Sequence, residues 1–202
     1  MKIIEVLFMN TSNLLNDKLF CVLLPGGQVL KTARRIQKRI SEHYNIYEKG
    51  SYPQIHITIN RIKKKSVSYV LDSMDKLVRE NDSPIELIID KFRCYHSDKN
   101  NFLVLTLKKT PSLHDFSCRL HSKLSVRGLS TIENFDKWEY HITLINNDFA
   151  KNPLTYNQFN ELCFRLDEVN NSYISYADKL ELWRPILNSS EKCIRTFKLD
   201  KN

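Results

Sequence analysis

The sequence predicts an α+β fold built from an internal duplication, and three observations carry that expectation. Short apolar or alternating segments are interleaved with amphipathic helical stretches. The order strand, helix, His-Ile-Thr strand, helix, strand occurs twice, and the second His-Ile-Thr trails the first by about 85 residues. At 202 residues the chain can bury one sizeable core. One domain over residues 1–202 is expected, with lobe-forming halves at about 17–96 and 97–199 and with strand exchange between them allowed by the pattern.

Leu19 to Leu24 is apolar and ends at Pro25-Gly26-Gly27, which predicts a buried strand closed by a turn. Val29, Ala33, Ile36 and Ile40 then recur at helical spacing, while Lys31, Arg34, Arg35, Lys38 and Arg39 fill the other faces of a basic helix running toward Tyr44. Gln54 to Asn60 alternates strictly. Ile55, Ile57 and Ile59 are expected to face the core, and His56, Thr58 and Asn60 the opposite side. Ser66 to about Glu80 predicts a second helix burying Val67, Val70, Leu71, Met74, Leu77 and Val78, broken at Asn81 to Pro84 and followed by a strand to Tyr95.

The order then repeats. Ser97 to Asn101 is expected to be the crossing between the halves, and Phe102 to Leu107 is a strand. Thr110-Pro111 opens a helix with Pro at its first position, carrying Leu113, Phe116, Leu120 and Leu124 inward until Arg127-Gly128 stops it. Tyr140 to Leu144 is the second alternating strand. Thr155 and Gln158 form a capping box for a helix that buries Phe159, Leu162, Cys163, Leu166 and Val169. Tyr173 to Trp183 and Cys193 to Leu199 complete the set as strands, the latter at an edge.

Composition narrows the function. With 42% hydrophobic and 27% charged residues the chain is neither disordered nor collagen-like. No GxGxxG or GxxxxGK[ST] occurs, so the Gly-rich phosphate cradles are absent. A formal net charge of +8 favours an anionic partner. If that charge serves capture of a polyanion, basic side chains are expected around the mouth of the site. Met1 to Phe8 carries Glu5 and too short an apolar run for a signal peptide, and no stretch is long enough to span a bilayer. Five scattered Cys with no CxxC pair predict reduced thiols rather than zinc or a disulfide framework. A cytoplasmic monomer without membrane contact is expected.

Six His and nine Thr would give about 0.3 His-x-Thr triplets by chance, yet two identical ones occupy matching strands. A strand places residues i and i+2 on one face, so each triplet offers an imidazole and a hydroxyl to one cleft. A single strand His beside Thr is ordinarily a structural hydrogen-bonding pair; the matched duplicate points instead to chemistry. Displacement at a phosphodiester needs a base for the attacking oxygen and an acid for the leaving oxygen. Imidazole titrates near neutrality and serves as either, while hydroxyls donate to nonbridging oxygens. The scheme requires no metal.

At His56-Ile57-Thr58 and His141-Ile142-Thr143 the sequence resembles the two-histidine phosphoesterases, a family often labelled 2′-5′ RNA ligase or RNA 2′,3′-cyclic phosphodiesterase. The resemblance extends from about Leu19 to about Leu199. It implies a bilobal, pseudo-symmetric α+β fold, each lobe an antiparallel sheet with flanking helices, whose His-x-Thr strands line a central cleft. It also implies a hydrolase that uses His56 and His141 as the acid/base pair and Thr58 and Thr143 as phosphate-holding hydroxyls, without cofactor or metal. RNA ends with 2′,3′-cyclic phosphates, 2′-5′ linkages, short oligonucleotides or cyclic nucleotides are the implied substrates. Hydrolysis of a cyclic or 2′-5′ oligonucleotide messenger and noncatalytic RNA binding are the alternatives.

Further contacts are weighed on residue type. Arg61 and Arg184 are candidate phosphate contacts, and Tyr52, Tyr95, Tyr140, Trp138 and Trp183 are candidates for base stacking, although strand aromatics more often fill cores. Lys63-Lys64-Lys65 is a steering patch or a solvated loop. His114-Asp115 lies on a helix without spaced metal-ligand partners, and His43, His96 and His121 are expected to face solvent or cap elements.

Overall fold

The computed structural model describes residues 17–48, 52–96, 100–166, 173–186 and 189–199. The expectations for Met1 to Phe8 and for Val169 lie outside these residues. Seven strands and four helices longer than one turn are present among them: β1 (Lys18–Pro25), α1 (Gly27–His43), β2 (Ile57–Lys63), α2 (Val67–Arg79), β3 (Glu86–His96), β4 (Asn101–Leu107), α3 (Pro111–Ser125), β5 (His141–Asn146), α4 (Tyr156–Leu166), β6 (Ile174–Trp183) and β7 (Cys193–Lys198). No helix among the described residues is long and apolar enough to cross a membrane.

Local chemistry sets the boundaries. At Pro25-Gly26-Gly27 the chain turns with Gly27 at φ +52°, and a Cβ on Gly26 would collide with the Asp178 carboxylate. Thr110 caps α3 by accepting from the Leu113 amide at 3.4 Å, with Pro111 in the first turn. Gly128, at φ +62°, follows its end. The Thr155–Gln158 box precedes α4, with the Gln158 amide donating to Thr155 Oγ1 at 3.3 Å and the Thr155 amide to Gln158 Oε1 at 3.0 Å.

The strands pair antiparallel in the order β1-β2-β5-β4-β3-β6-β7, and a further pairing of β1 with β6 closes the first six into a ring. β2 and β5, the two His-Ile-Thr strands, meet through one pair, Ile57 opposite Ile142, and both residues are fully buried. The halves of the sequence interleave: β3 pairs with β4, and β6 with β1. The helices do likewise, α1 packing on β5 and β6 while α3 packs on β2. Each helix that precedes a motif in sequence therefore lies beneath the strand carrying the other motif. The expected crossing at Ser97 to Asn101 is the region of the β3–β4 hairpin, where His96 pairs with Asn101; 97–99 lie outside the described residues.

Two expectations require correction. Cys94 on β3 and Cys163 on α4 form a disulfide with Cα atoms 6.2 Å apart, although 69 residues separate them in sequence. Packing of α4 on β3 creates that proximity, which spacing along the chain does not encode, and the thiol argument for a reducing compartment falls away. The second concerns β2. Cys21 pairs with Asn60 while Val22 pairs with Thr58, so β2 carries one extra residue, a β-bulge at Ile59. Asn60 is thereby turned to the core side at 0% exposure, and Arg61 takes the face of His56 and Thr58.

Since one fully buried isoleucine pair joins the motif strands, its truncation is felt directly. Ile142→Ala should cost about 2–5 kcal/mol and Ile142→Val about 0.5–1.5 kcal/mol in chemical denaturation. A double Ile57→Val/Ile142→Val variant should depart from additivity because the two side chains touch one another's environment. Additive losses would show that the strands are held elsewhere.

Candidate active site

The antiparallel register at Ile57–Ile142 places Thr58 across from His141 and His56 across from Thr143. The two isoleucines point into the helix-covered core, so the four polar side chains share the opposite face, where all are partly exposed. The histidines stand on the diagonal of this square. Ordinary sheet geometry puts such diagonal positions about 7–8 Å apart, close enough to flank one phosphate.

Both rings are anchored alike. His56 Nδ1 lies 2.8 Å from the carbonyl of Gln54, and His141 Nδ1 lies 3.1 Å from the carbonyl of Glu139. A carbonyl only accepts, so Nδ1 carries the proton and Nε2 of the neutral ring presents a lone pair. Among the described residues Nε2 of neither ring has a partner, and neither do the hydroxyls of Thr58 and Thr143. Gln37, 3% exposed on α1, supports this geometry from behind by donating to the carbonyls of Pro53 at 3.0 Å and Leu144 at 3.1 Å. It thereby ties the approach to His56 to the strand of His141.

Burial pushes the His56 imidazole down to about 4, helped by the positive charges of Lys192 and His141 and opposed by the Gln54 hydrogen bond. His141 is also held below the ordinary histidine value, first by desolvation and further by Arg61. The Glu139 hydrogen bond and the Glu139 carboxylate act in the opposite sense. That carboxylate is fixed in turn by Arg93 Nη1, at 2.6 and 2.8 Å, and by the Tyr95 hydroxyl at 3.0 Å.

Two cations flank the square. The Arg61 guanidinium, brought round by the bulge, lies 5.0 Å from the Trp138 ring, and its Nε is buried without a hydrogen-bond partner among the described residues. The Trp138 indole is fixed by donation to the Thr58 carbonyl at 3.1 Å. Lys192, from the one-turn helix Ser189–Lys192, places Nζ 4.0 Å from the Trp183 ring, whose centroid is 4.6 Å from that of His56. Lys192 is invisible in the sequence pattern because it approaches from the far end of the chain. A lysine just before the last strand is too common a signal to have found it.

The other named residues divide. Trp183 is 2% exposed and covered by His56 and Lys192, so it is a platform for those two and is closed to a base. Tyr140 is 2% exposed on the core side. The alternation that puts Ile142 inward also puts Tyr140 inward, which corrects its place among the stacking candidates. Tyr52 packs edge-on against Tyr47 with centroids 6.3 Å apart, and among the described residues no hydrogen bond or ring contact joins it to the four motif side chains. Arg184 is exposed and donates to the Glu191 carbonyl at 2.7 Å, which shapes the loop that presents Lys192. Tyr95 stacks on Phe102 with centroids 5.2 Å apart. His121 is half-buried: it stacks on Phe135 at 4.2 Å and joins Ser130 and Asn60 behind the bulge. Asp115 pairs with Arg119, and the His114 ring faces Phe135.

Part of the basic charge lies away from the histidines: Lys31, Arg34, Arg35, Lys38 and Arg39 are exposed on α1, which covers the opposite side of the sheet, whereas the cations acting on the histidines include Arg61 and Lys192.

No protein-family model and no curated protein sequence matches the chain. Solved structures do. Escherichia coli LigT complexed with 3′-AMP superposes with a TM-score of 0.56 at 14% identity, covering 92% of this chain and 99% of that one. A structure described as a phosphoesterase gives 0.52 at 13% identity over 92% and 99%. Escherichia coli LigT complexed with NADP+ gives 0.51 at 14% identity over the same shares. At such identities the likeness is one of fold, and it is the α+β fold that the sequence resemblance implied.

The depressed histidine makes stability depend on acidity. His56 titrates at about 4 in the folded chain and near 6.5 when unfolded, so between these values the unfolded form binds more protons. The contribution is full above about 6.5 and is lost as pH falls toward 4. His56→Gln should flatten the unfolding free energy against pH across this window in urea titrations. An unchanged slope would mean that the imidazole is not desolvated.

Proposed function

We propose that the chain is a metal-independent phosphoesterase that cleaves RNA-type phosphodiesters, with 2′,3′-cyclic phosphate ends or 2′-5′ linkages as substrates. The observation that carries this reading is the pair of identically anchored histidines, both offering Nε2 to one face beside the two threonine hydroxyls. The 3′-AMP and NADP+ complexed with LigT favour a nucleotide-type substrate here.

In the forward reaction the phosphate sits between the two Nε2 atoms. One neutral imidazole takes a proton from water as its oxygen bonds phosphorus, and the other, protonated, gives its proton to the leaving ribose oxygen as that P–O bond breaks. Opening a 2′,3′-cyclic phosphate this way consumes one water and leaves a phosphomonoester. The two histidines end with exchanged protonation and reset by proton exchange with solvent. Thr58, Thr143 and Arg61 donate to the nonbridging oxygens, whose charge grows toward the transition state.

Both histidines are held below their ordinary value in the free protein. The fraction with one ring protonated is therefore greatest on the acid side of 6.5, and the bell of kcat/KM should be centred there. An anionic substrate favours the imidazolium, so the kcat profile should lie at higher pH than that of kcat/KM.

Incubation with cyclic-phosphate-ended RNA, 2′-5′ and 3′-5′ dinucleotides and cyclic dinucleotides in EDTA tests the reading and identifies the linkage. His56→Ala or His141→Ala should each lower kcat by orders of magnitude, with little further loss in the double variant. Thr58→Val or Thr143→Val should cost on the order of 100-fold. Loss of turnover on chelation, or a His141→Ala enzyme that keeps most of its kcat, would overturn the symmetric acid/base scheme.

A further inference from the structure

Lys192 stands beside the histidines with no task in the scheme above. Its ammonium rests on the Trp183 ring at 4.0 Å, and His56 rests on the same ring at 4.6 Å between centroids. The indole they share is held in place by its Nε1, which donates to Glu181 Oε2 at 2.6 Å. Glu181 is the carboxylate in this cluster, 7% exposed, and its other oxygen accepts from Thr196 Oγ1 at 2.9 Å. No salt bridge or hydrogen-bond acceptor serves Lys192 Nζ among the described residues. An ammonium carries three donors, and an aromatic face satisfies its charge without accepting them in the manner of an oxygen.

A part-buried cation with no protein acceptor keeps its donors open to an anion. Arg61 repeats the arrangement on the other side, over the second of the chain's two Trp residues and with Nε buried and unpartnered among the described residues. The tryptophans hold two long, flexible side chains in place, which removes much of the ordering cost of gripping a ligand.

We propose that Lys192 is a phosphate-binding residue of this site, donating to a nonbridging phosphate oxygen on the His56 side as Arg61 does on the His141 side. The proposal rests on the phosphoesterase reading for its substrate, but anion binding tests it separately. Lys192 has a second effect through charge. It disfavours the imidazolium of His56, so its removal should raise the His56 titration midpoint.

The experiment uses the full chain, its Lys192→Met and Lys192→Arg variants, inorganic phosphate as probe and histidine ring resonances as readout. Phosphate should bind the wild type with a shift at His56, about 10-fold more weakly to Lys192→Met and within about 3-fold of wild type to Lys192→Arg. The His56 midpoint should rise in the Met variant and stay in the Arg variant. A Met variant that binds phosphate as the wild type does, or a wild type that binds none, overturns the assignment. Should Met fail to fold, Lys192→Gln takes its place under the same criteria. If phosphate binding depends on Lys192 while no phosphodiester in the panel is turned over, the anion site stands and the catalytic reading fails. If turnover is normal while phosphate binding is independent of Lys192, the catalytic reading stands and the anion site fails.

Discussion

One cross-strand contact holds the candidate site together: Ile57 of β2 opposite Ile142 of β5. A strand has period two, so fixing this pair in the core fixes His56, Thr58, His141 and Thr143 on the other face in one step. A slip of one residue would bury all four. The remaining architecture reinforces that register. The ring of strands closes through β1 and β6, the helix before each motif packs under the other motif's strand, and Gln37 binds carbonyls on both sides of the junction. Neither half of the sequence can form its part of the site without the other.

Electrostatics then separates capture from chemistry. The basic face of α1 lies across the sheet from the histidines, so most of its influence is a long-range field, weakened by salt over about a Debye length. At the site the local charges are few, and those of the imidazoles and Arg61 are partly desolvated. Two cations sit on indole faces, two imidazoles are kept neutral by burial, and the Glu139 carboxylate beside His141 is paired with Arg93. Arg61 Nε and Lys192 Nζ keep donors without a protein acceptor among the described residues, and such donors interact strongly with an anion where water is partly excluded.

Most of the fold was legible because it rests on periodicity. The strict alternation around His56 and His141, the Thr110-Pro111 start and the Thr155–Gln158 box are local signals with local causes, and each marks the element observed. The bulge at Ile59 was not legible, since an extra residue in a ladder is defined by the partner strand, here the Cys21–Val22 step of β1. That single residue moved Asn60 inward and Arg61 outward. The Cys94–Cys163 bond and the approach of Lys192 are likewise products of tertiary packing. Tyr140 is different. Its inward direction follows from the alternation that placed His141 outward.

The repeat is symmetric in geometry but unequal in charge. A second bulge follows Thr143, where Val104 pairs with Thr143 and Leu103 with Ile145, and it delivers Asn146 to the position that Arg61 holds after Thr58. Phe20 and Phe102 lie opposite Arg61 and Asn146, and Val22 and Val104 opposite Thr58 and Thr143. Against this common frame His56 has Lys192 beside it, whereas His141 has the Glu139 carboxylate on one side and Arg61 on the other. A positive neighbour disfavours imidazolium and a negative one favours it. The two imidazoles therefore sit in unlike electrostatic surroundings. The matched registers give the two imidazoles one frame, and the charges set around that frame differ.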